Sequence, residues 1–148
     1  MPAPVSDQTI YDISHVIQLS VAPVFLLTSI GTILGVLSTR LARIVDRARA
    51  LNERLDSNPP ADRVAAIHAE MRTLASRRRL VNLAITFGTT SALLVCVSIA
   101  TVFLGAVMKA SVAGAVASLF ILAMAAFVAA LVFFLREVLL AVRSLHLA

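Results

Sequence analysis

The sequence predicts an all-α integral membrane protein with three transmembrane helices, the first two extended into a cytoplasmic antiparallel helical hairpin. Three observations lead there. The 148 residues are 59% hydrophobic and only 14% charged, with a mean hydropathy of +0.94, which is membrane rather than soluble composition. Three stretches, residues 16–37, 80–104 and 112–135, contain no Asp, Glu, Lys or Arg, and roughly twenty apolar residues suffice to cross a hydrocarbon core of about 30 Å. The charges are segregated: apart from Asp7, Asp12 and Lys109, they fall within residues 40–79 or 136–143.

The first span is predicted at about 16–37. Ahead of it, Ser6 or Asp7 caps a turn that brings Ile10, Ile13 and Ile17 to one side, with Tyr11 at headgroup depth. That pattern fits either the helix start or a short interfacial helix. The first sixteen residues carry no Lys or Arg, so the basic region of a cleaved signal is missing and the span is expected to be retained. Pro23 removes one backbone hydrogen bond and is expected to kink or soften the helix.

Residues 38–79 follow, with ten arginines against Asp46, Glu53, Asp56, Asp62 and Glu70. An excess of arginine beside a span marks the cytoplasmic side. The N-terminus is then outside and the C-terminus inside, as the acidic start and the Arg136/Arg143 tail also indicate. Leu37, Leu41, Ile44, Ala48, Leu51 and Leu55 alternate spacings of four and three, a helical stripe continuing straight out of the first span. Asp56-Ser57-Asn58-Pro59-Pro60 breaks it, with Asn58 expected as the N-cap and Pro59 at the first helical position. Val64, Ile67, Met71 and Leu74 then lead into the second span. The two stripes are expected to face each other or a neighbouring subunit. A short connection bearing Lys109 joins spans two and three, and a cytoplasmic tail occupies 136–148, all within one membrane domain of residues 1–148.

Inside a bilayer, association relies on close packing and hydrogen bonds, so small residues four apart are informative. Gly31 and Gly35 form such a pair in span one; Ala84, Gly88, Ala92, Cys96 and Ala100 form a spine in span two; Gly114/Ser118 and Ala126/Ala130 mark span three. With Leu41, Ile44, Leu51 and Leu55 of the hairpin, they are the expected contacts for helix packing or homo-oligomerisation. Cys96, the single cysteine, reads as a small buried packing residue. Thr28 and Thr32, with Gly35, can line a hydroxyl-rich pore in an oligomer, or simply bond back to carbonyls one turn earlier.

Where the spans reach the cytoplasm, Arg40, Arg43, Asp46 and Arg47 leave the first helix, Arg77, Arg78 and Arg79 enter the second, and Arg136 and Glu137 close the third. One expectation is a charged belt in which Asp46 and Glu137 pair with arginines and anionic lipid headgroups or an acidic partner bind. The other is snorkelling and topology anchoring alone. His15, His68 and His146 are isolated, and no metal, nucleophile or phosphate-loop motif occurs, so no catalytic, metal or cofactor residue is expected. Nucleic-acid binding is not expected either, because the basic residues sit where topology puts them.

Arg40-Leu41-Ala42-Arg43-Ile44-Val45-Asp46-Arg47-Ala48-Arg49, following a proline-containing first span and preceding a third span that ends in Arg136-Glu137, resembles a family of small bacterial membrane proteins known only as a domain of unknown function. The resemblance covers nearly the whole chain. It implies a three-helix inner-membrane protein and carries no activity. The expected role is non-enzymatic: a homo-oligomer acting in assembly, or in contact with a cytoplasmic protein partner, through its hairpin. The alternative is a small oligomeric channel or transport pore lined by the first helix.

Overall fold

The computed structural model describes the backbone of residues 7–108 and 111–145 and, within them, the side chains of residues 18, 21–108 and 111–142. Ser6, Lys109 and His146, with the side chains of Ile10, Tyr11, Ile13, His15, Ile17 and Arg143, lie outside the described residues. Three helices account for nearly all the rest: α1 (Asp7–Asp56), α2 (Ala61–Met108) and α3 (Ala113–Leu145). At 1.5 Å per residue they are about 75, 72 and 50 Å long. Each contains a stretch long and apolar enough to cross a membrane. The chain is a multi-pass membrane protein.

The predicted spans are thus parts of longer helices. α1 runs unbroken through Pro23, and α3 continues to Leu145, so residues 136–145 are helix rather than a separate tail. The break between α1 and α2 falls where the prolines put it, but its caps differ from expectation. Asn58 has φ 55°, and its N–H donates to the Leu55 carbonyl at 3.2 Å. It therefore closes α1 in the left-handed conformation that asparagine tolerates. Pro59 disfavours the helical region for the residue before it, which keeps Asn58 out of α2. The Pro60 carbonyl accepts from Arg63 and Val64 instead, at 2.9 and 3.2 Å, so α2 begins two residues later than expected, at Ala61.

Both α1 and α3 pack on α2. The buried residues recur at the spacing that keeps one helix face on a neighbour. On α1 they are Ile30, Leu37, Ile44 and Leu51, and on α3 Ala123, Ala130 and Glu137, each seven residues from the last. On α2 they are Leu74, Val81, Ala84, Gly88, Ser91, Val95, Ser98 and Gly105. Ile44, Leu51 and Leu74 share one cluster with Leu41, Ala48, Ile67 and Met71 around them, so the two stripes of the hairpin face each other within one chain. Ile30, Val95 and Ala123 form the other cluster.

The spine of four-residue steps expected on α2 follows the buried face only at its start. Ala84 and Gly88 are buried and Ala92 half-buried, whereas Cys96 and Ala100 are exposed. Each step of four residues turns about 40° past a full rotation, so the row winds off the contact face. Cys96 is accordingly exposed and not a buried packing residue. Alternating steps of three and four stay in the seam. There, small residues bring backbones close: the Ser91 hydroxyl donates to the Ala123 carbonyl across α2 and α3 at 2.7 Å. A Cβ on Gly88 would sit 3.0 Å from Leu34 and 3.9 Å from Ala130.

At the far end of α2, a Cβ on Gly105 would collide with the Val112 side chain, meeting its Cγ1 at 3.0 Å and its Cβ at 3.2 Å and its Cγ2 closer still. Val112 is β-branched and cannot swing aside freely, and its carbonyl accepts from Val116 in the first turn of α3. Gly105→Ala is therefore expected to lower stability by about 1–3 kcal/mol through overpacking, although alanine ordinarily gains up to about 1 kcal/mol over glycine in a helix. Gly31→Ala, where nothing lies within 4 Å, is expected to leave the melting temperature unchanged or raise it. Thermal unfolding of the two variants in mild detergent checks the contrast.

Candidate functional site

Glu137 is completely buried although it is charged. It occupies the next position of the seven-residue row that begins with Ala123 and Ala130, so the geometry of α3 points it at α2 as surely as it points the alanines. Arg77 stands between Leu74 and Val81 in the corresponding row of α2, and Arg40 lies half-buried on α1. Arg77 donates from Nε and Nη2 to Glu137 Oε1 at 3.1 and 2.8 Å. Arg40 donates from Nη1 to Oε2 at 2.9 Å. One carboxylate thus ties together all three helices. A buried unpaired carboxylate costs several kcal/mol, and here each oxygen holds a guanidinium, the stronger, charge-assisted kind of hydrogen bond. Arg40 also lies over the Phe134 ring, 5.3 Å from its centroid, a cation–π contact that orients it.

A second rung joins α1 and α2 farther toward the turn, where Arg47 Nε donates to Glu70 Oε1 at 2.7 Å. The two rungs, Arg40 with Arg77 and Arg47 with Glu70, are symmetric in sequence about the break at residues 57–60. Both side chains of the outer rung are more than two-fifths exposed, so solvent screens it and it contributes little stability. Glu70 raises the Arg47 pKa, first through the hydrogen bond and then through charge attraction. Arg47 keeps its charge at any ordinary pH.

The expected belt is therefore smaller than its sequence suggests. Glu137 is paired as expected with arginines, but Asp46 is exposed and forms no ion pair among the described residues. It lies on the side of α1 away from α2, about 100° from Arg47 at 100° per residue. Arg43, Arg79 and Arg136 are exposed as well. Arg77 holds the place that Arg79 was expected to share. Glu70 was not singled out from the sequence; counting outward from the proline break would have found it, because positions equidistant from a hairpin turn meet.

Leu41, Ile44, Leu51 and Leu55 are buried or half-buried within the chain. Gly31 and Gly35 are the reverse: both are exposed, and a Cβ on either would meet nothing within 4 Å. Thr28 and Thr32 are exposed too, their hydroxyls donating to the Val24 and Thr28 carbonyls at 3.2 and 3.0 Å. Among the described residues, no three His, Cys, Asp or Glu side chains stand close enough to share a metal ion.

The family model described as a protein of unknown function, DUF2721, matches residues 20–147. The chain belongs to this family. The DUF2721 match spans the described parts of all three helices from residue 20 onward and includes Arg40, Arg47, Glu70, Arg77 and Glu137. It confirms the resemblance to a family known as a domain of unknown function. No curated protein and no solved structure matches the chain.

Replacing Glu137 by Gln leaves two half-buried arginines facing each other. The expected loss is about 3 kcal/mol, at the lower end for breaking a buried pair, because both arginines keep some contact with solvent. Adding Arg40→Gln and Arg77→Gln to Glu137→Gln is expected to restore part of it, the non-additivity of groups that share a network. Asp46→Asn should change stability by less than about 0.5 kcal/mol. Unfolding midpoints of the three variants in one detergent decide the matter.

Proposed function

We propose that this protein is a non-enzymatic, homo-oligomeric component of the bacterial inner membrane, assembled through the outer face of α1. Its hairpin projects as an antiparallel pair into the cytoplasm toward a protein partner. The observation that carries the assembly is the open face at Gly31 and Gly35. Glycines four apart let two helix backbones approach closely, and among the described residues nothing in the chain's own helices meets this pair, whereas Gly88 in the neighbouring helix is filled by Leu34 and Ala130. The exposed large side chains of α1, such as Phe25 and Val36, suit lipid or another copy equally well; the glycines favour a copy.

The hairpin's apolar stripe is occupied by α2 within the chain, so substitutions at Leu41, Ile44, Leu51 and Leu55 would act on folding, and a partner would meet the charged outer surface. The orientation rests on the ten arginines between residues 38 and 79, which favour retention in the cytoplasm. The second reading, a pore lined by Thr28 and Thr32, draws on their exposed position. Their hydroxyls, however, already bond to their own helix, which weakens them as donors to a passing ion.

Native mass spectrometry in mild detergent is expected to show two or more copies, and Gly35→Leu to shift the distribution toward monomer. A Gly31→Cys variant in a Cys96→Ser background should form a disulfide-linked dimer in membranes. Monomer alone in both assays would remove the assembly reading. A ring of four or more copies with ion flux in liposomes would favour the pore. For orientation, alkaline phosphatase fused after Ala148 is expected to be inactive and a fluorescent protein at the same point bright.

A further inference from the structure

On one side of the α1–α2 seam lies a groove of about 490 Å³ into which Arg40, Arg43, Arg47 and Arg77 all turn, with Thr39 beside them and Val36 at its end. Its floor is apolar, from Ile44 and Leu74. Among the described residues, the acids tied to these arginines are Glu137 and Glu70. Four guanidiniums against two carboxylates leave two positive charges in excess. Their donors are not exhausted either. Each guanidinium carries five N–H groups: Arg40 engages Glu137 through Nη1, Arg77 through Nε and Nη2, and Arg47 engages Glu70 through Nε. Arg43 is in no ion pair among the described residues. The groove is a set of prepositioned, unspent donors that fits a phosphate.

The same face of α1 continues away from the groove into the apolar span. Arg47, Arg43, Arg40, Val36, Thr32, Ser29 and Phe25 succeed one another at spacings of four and three, which keeps them on one stripe. Val36 and Phe25 are exposed, Phe25 by 71%. Thr32 and Ser29 present little polarity, because their hydroxyls donate to the Thr28 and Phe25 carbonyls at 3.0 and 3.1 Å. The stripe is cationic at one end and effectively apolar along the other. It is also distinct from the face of Gly31 and Gly35, which lies about 100–140° around the helix from Val36 at 100° per residue.

A cationic groove that empties onto an apolar track at the end of a membrane span matches one chemistry, a phosphate ester carried on an acyl chain. We infer that this groove binds an anionic phospholipid, its phosphate among Arg40, Arg43, Arg47 and Arg77 and an acyl chain along Val36 and Phe25. The site stands independently of subunit assembly, since a single copy supplies every residue. The groove on the opposite side of the seam serves as its control. That one measures about 420 Å³ and turns Arg78 and Arg79 toward a wall of Val45, Ala48 and Met71.

The test is titration of the full-length protein, in a neutral detergent, with acyl-labelled phosphatidylglycerol and with phosphatidylcholine of the same chains. Phosphatidylglycerol is expected to bind the more tightly. Arg43→Gln should weaken it about five-fold, and Arg43→Gln with Arg47→Gln about twenty-fold, taking the usual contribution of one basic residue near an anionic lipid. Neither residue belongs to the Glu137 clamp, and unchanged melting temperatures will show that the fold is intact. Arg78→Gln with Arg79→Gln, the same loss of charge, should change binding less than about two-fold on the same scale. Equal weakening by the two double variants would reduce the effect to general surface attraction and overturn the site. So would equal affinity for phosphatidylcholine. Complete displacement of the lipid by millimolar inorganic phosphate would reassign the groove to a soluble anion, and displacement by a polyglutamate peptide would reassign it to an acidic protein segment. Failure of both competitors supports the lipid.

Discussion

The arrangement of the three helices depends on one carboxylate. Glu137 sits where a seven-residue row of alanines demands a small apolar side chain, and it is tolerated there because Arg77 and Arg40 reach it from two other helices. Sliding either neighbour by one turn would move its guanidinium about 5.4 Å, beyond hydrogen-bond reach, and strand a charge in the interior. An apolar seam alone discriminates poorly between registers that differ by a whole repeat, since one row of Leu and Ala resembles the next. A polar residue at one position in such a row penalises every wrong register. The hairpin cores of Leu37, Ile44, Leu51 and Leu74 then fall into place on either side of that fixed point.

The seam below the clamp meets a different physical problem. Lipid tails are as apolar as leucine, so helices in a bilayer gain nothing simply by hiding apolar surface from one another. What remains is close contact and hydrogen bonding, and α2 is built for both. Gly88 lets Leu34 and Ala130 approach from opposite neighbours, Ser91 bonds directly to the backbone of α3, and Phe87 stacks on Phe133 with centroids 5.5 Å apart. The α1 helix, by contrast, offers its two glycines outward. One small-residue motif is spent inside the chain and another is left on its surface, a difference that spacing alone cannot reveal.

That contrast marks how far the sequence could be read. The three apolar helices, their long extensions and the break at Pro59-Pro60 were legible because each follows from strong local signals: the absence of charge, a continuous 3–4 stripe and residues that cannot propagate a helix. The caps were misassigned because Asn58 suits both an N-cap and a left-handed C-terminal position, and only the following proline decides between them. The alanine–glycine spine of α2 was followed past the point where it leaves the contact face, which put Cys96 in the wrong environment. Of the charged belt, Glu137 was legible as an acid that anchoring does not explain. Its partner Arg77 was hidden within a run of three arginines until the helical phase of Leu74 and Val81 selected one of them.

The continuity of α1 and α2 across the level of the clamp has a mechanical consequence. From Asp7 to Arg40 is about 50 Å of helix, and from Arg40 to Asp56 about 25 Å, in one unbroken element. The clamp therefore sits about a third of the way along each helix from the turn, like a fulcrum with one arm about twice as long as the other. For a rigid rod, a tilt imposed at the tip by Asn58 is a tilt of the longer arm by the same angle, and its far end moves about twice as far in the opposite direction. A small movement at the turn thus becomes a larger one at the far ends of the apolar stretches, in helices that need not bend to pass it on.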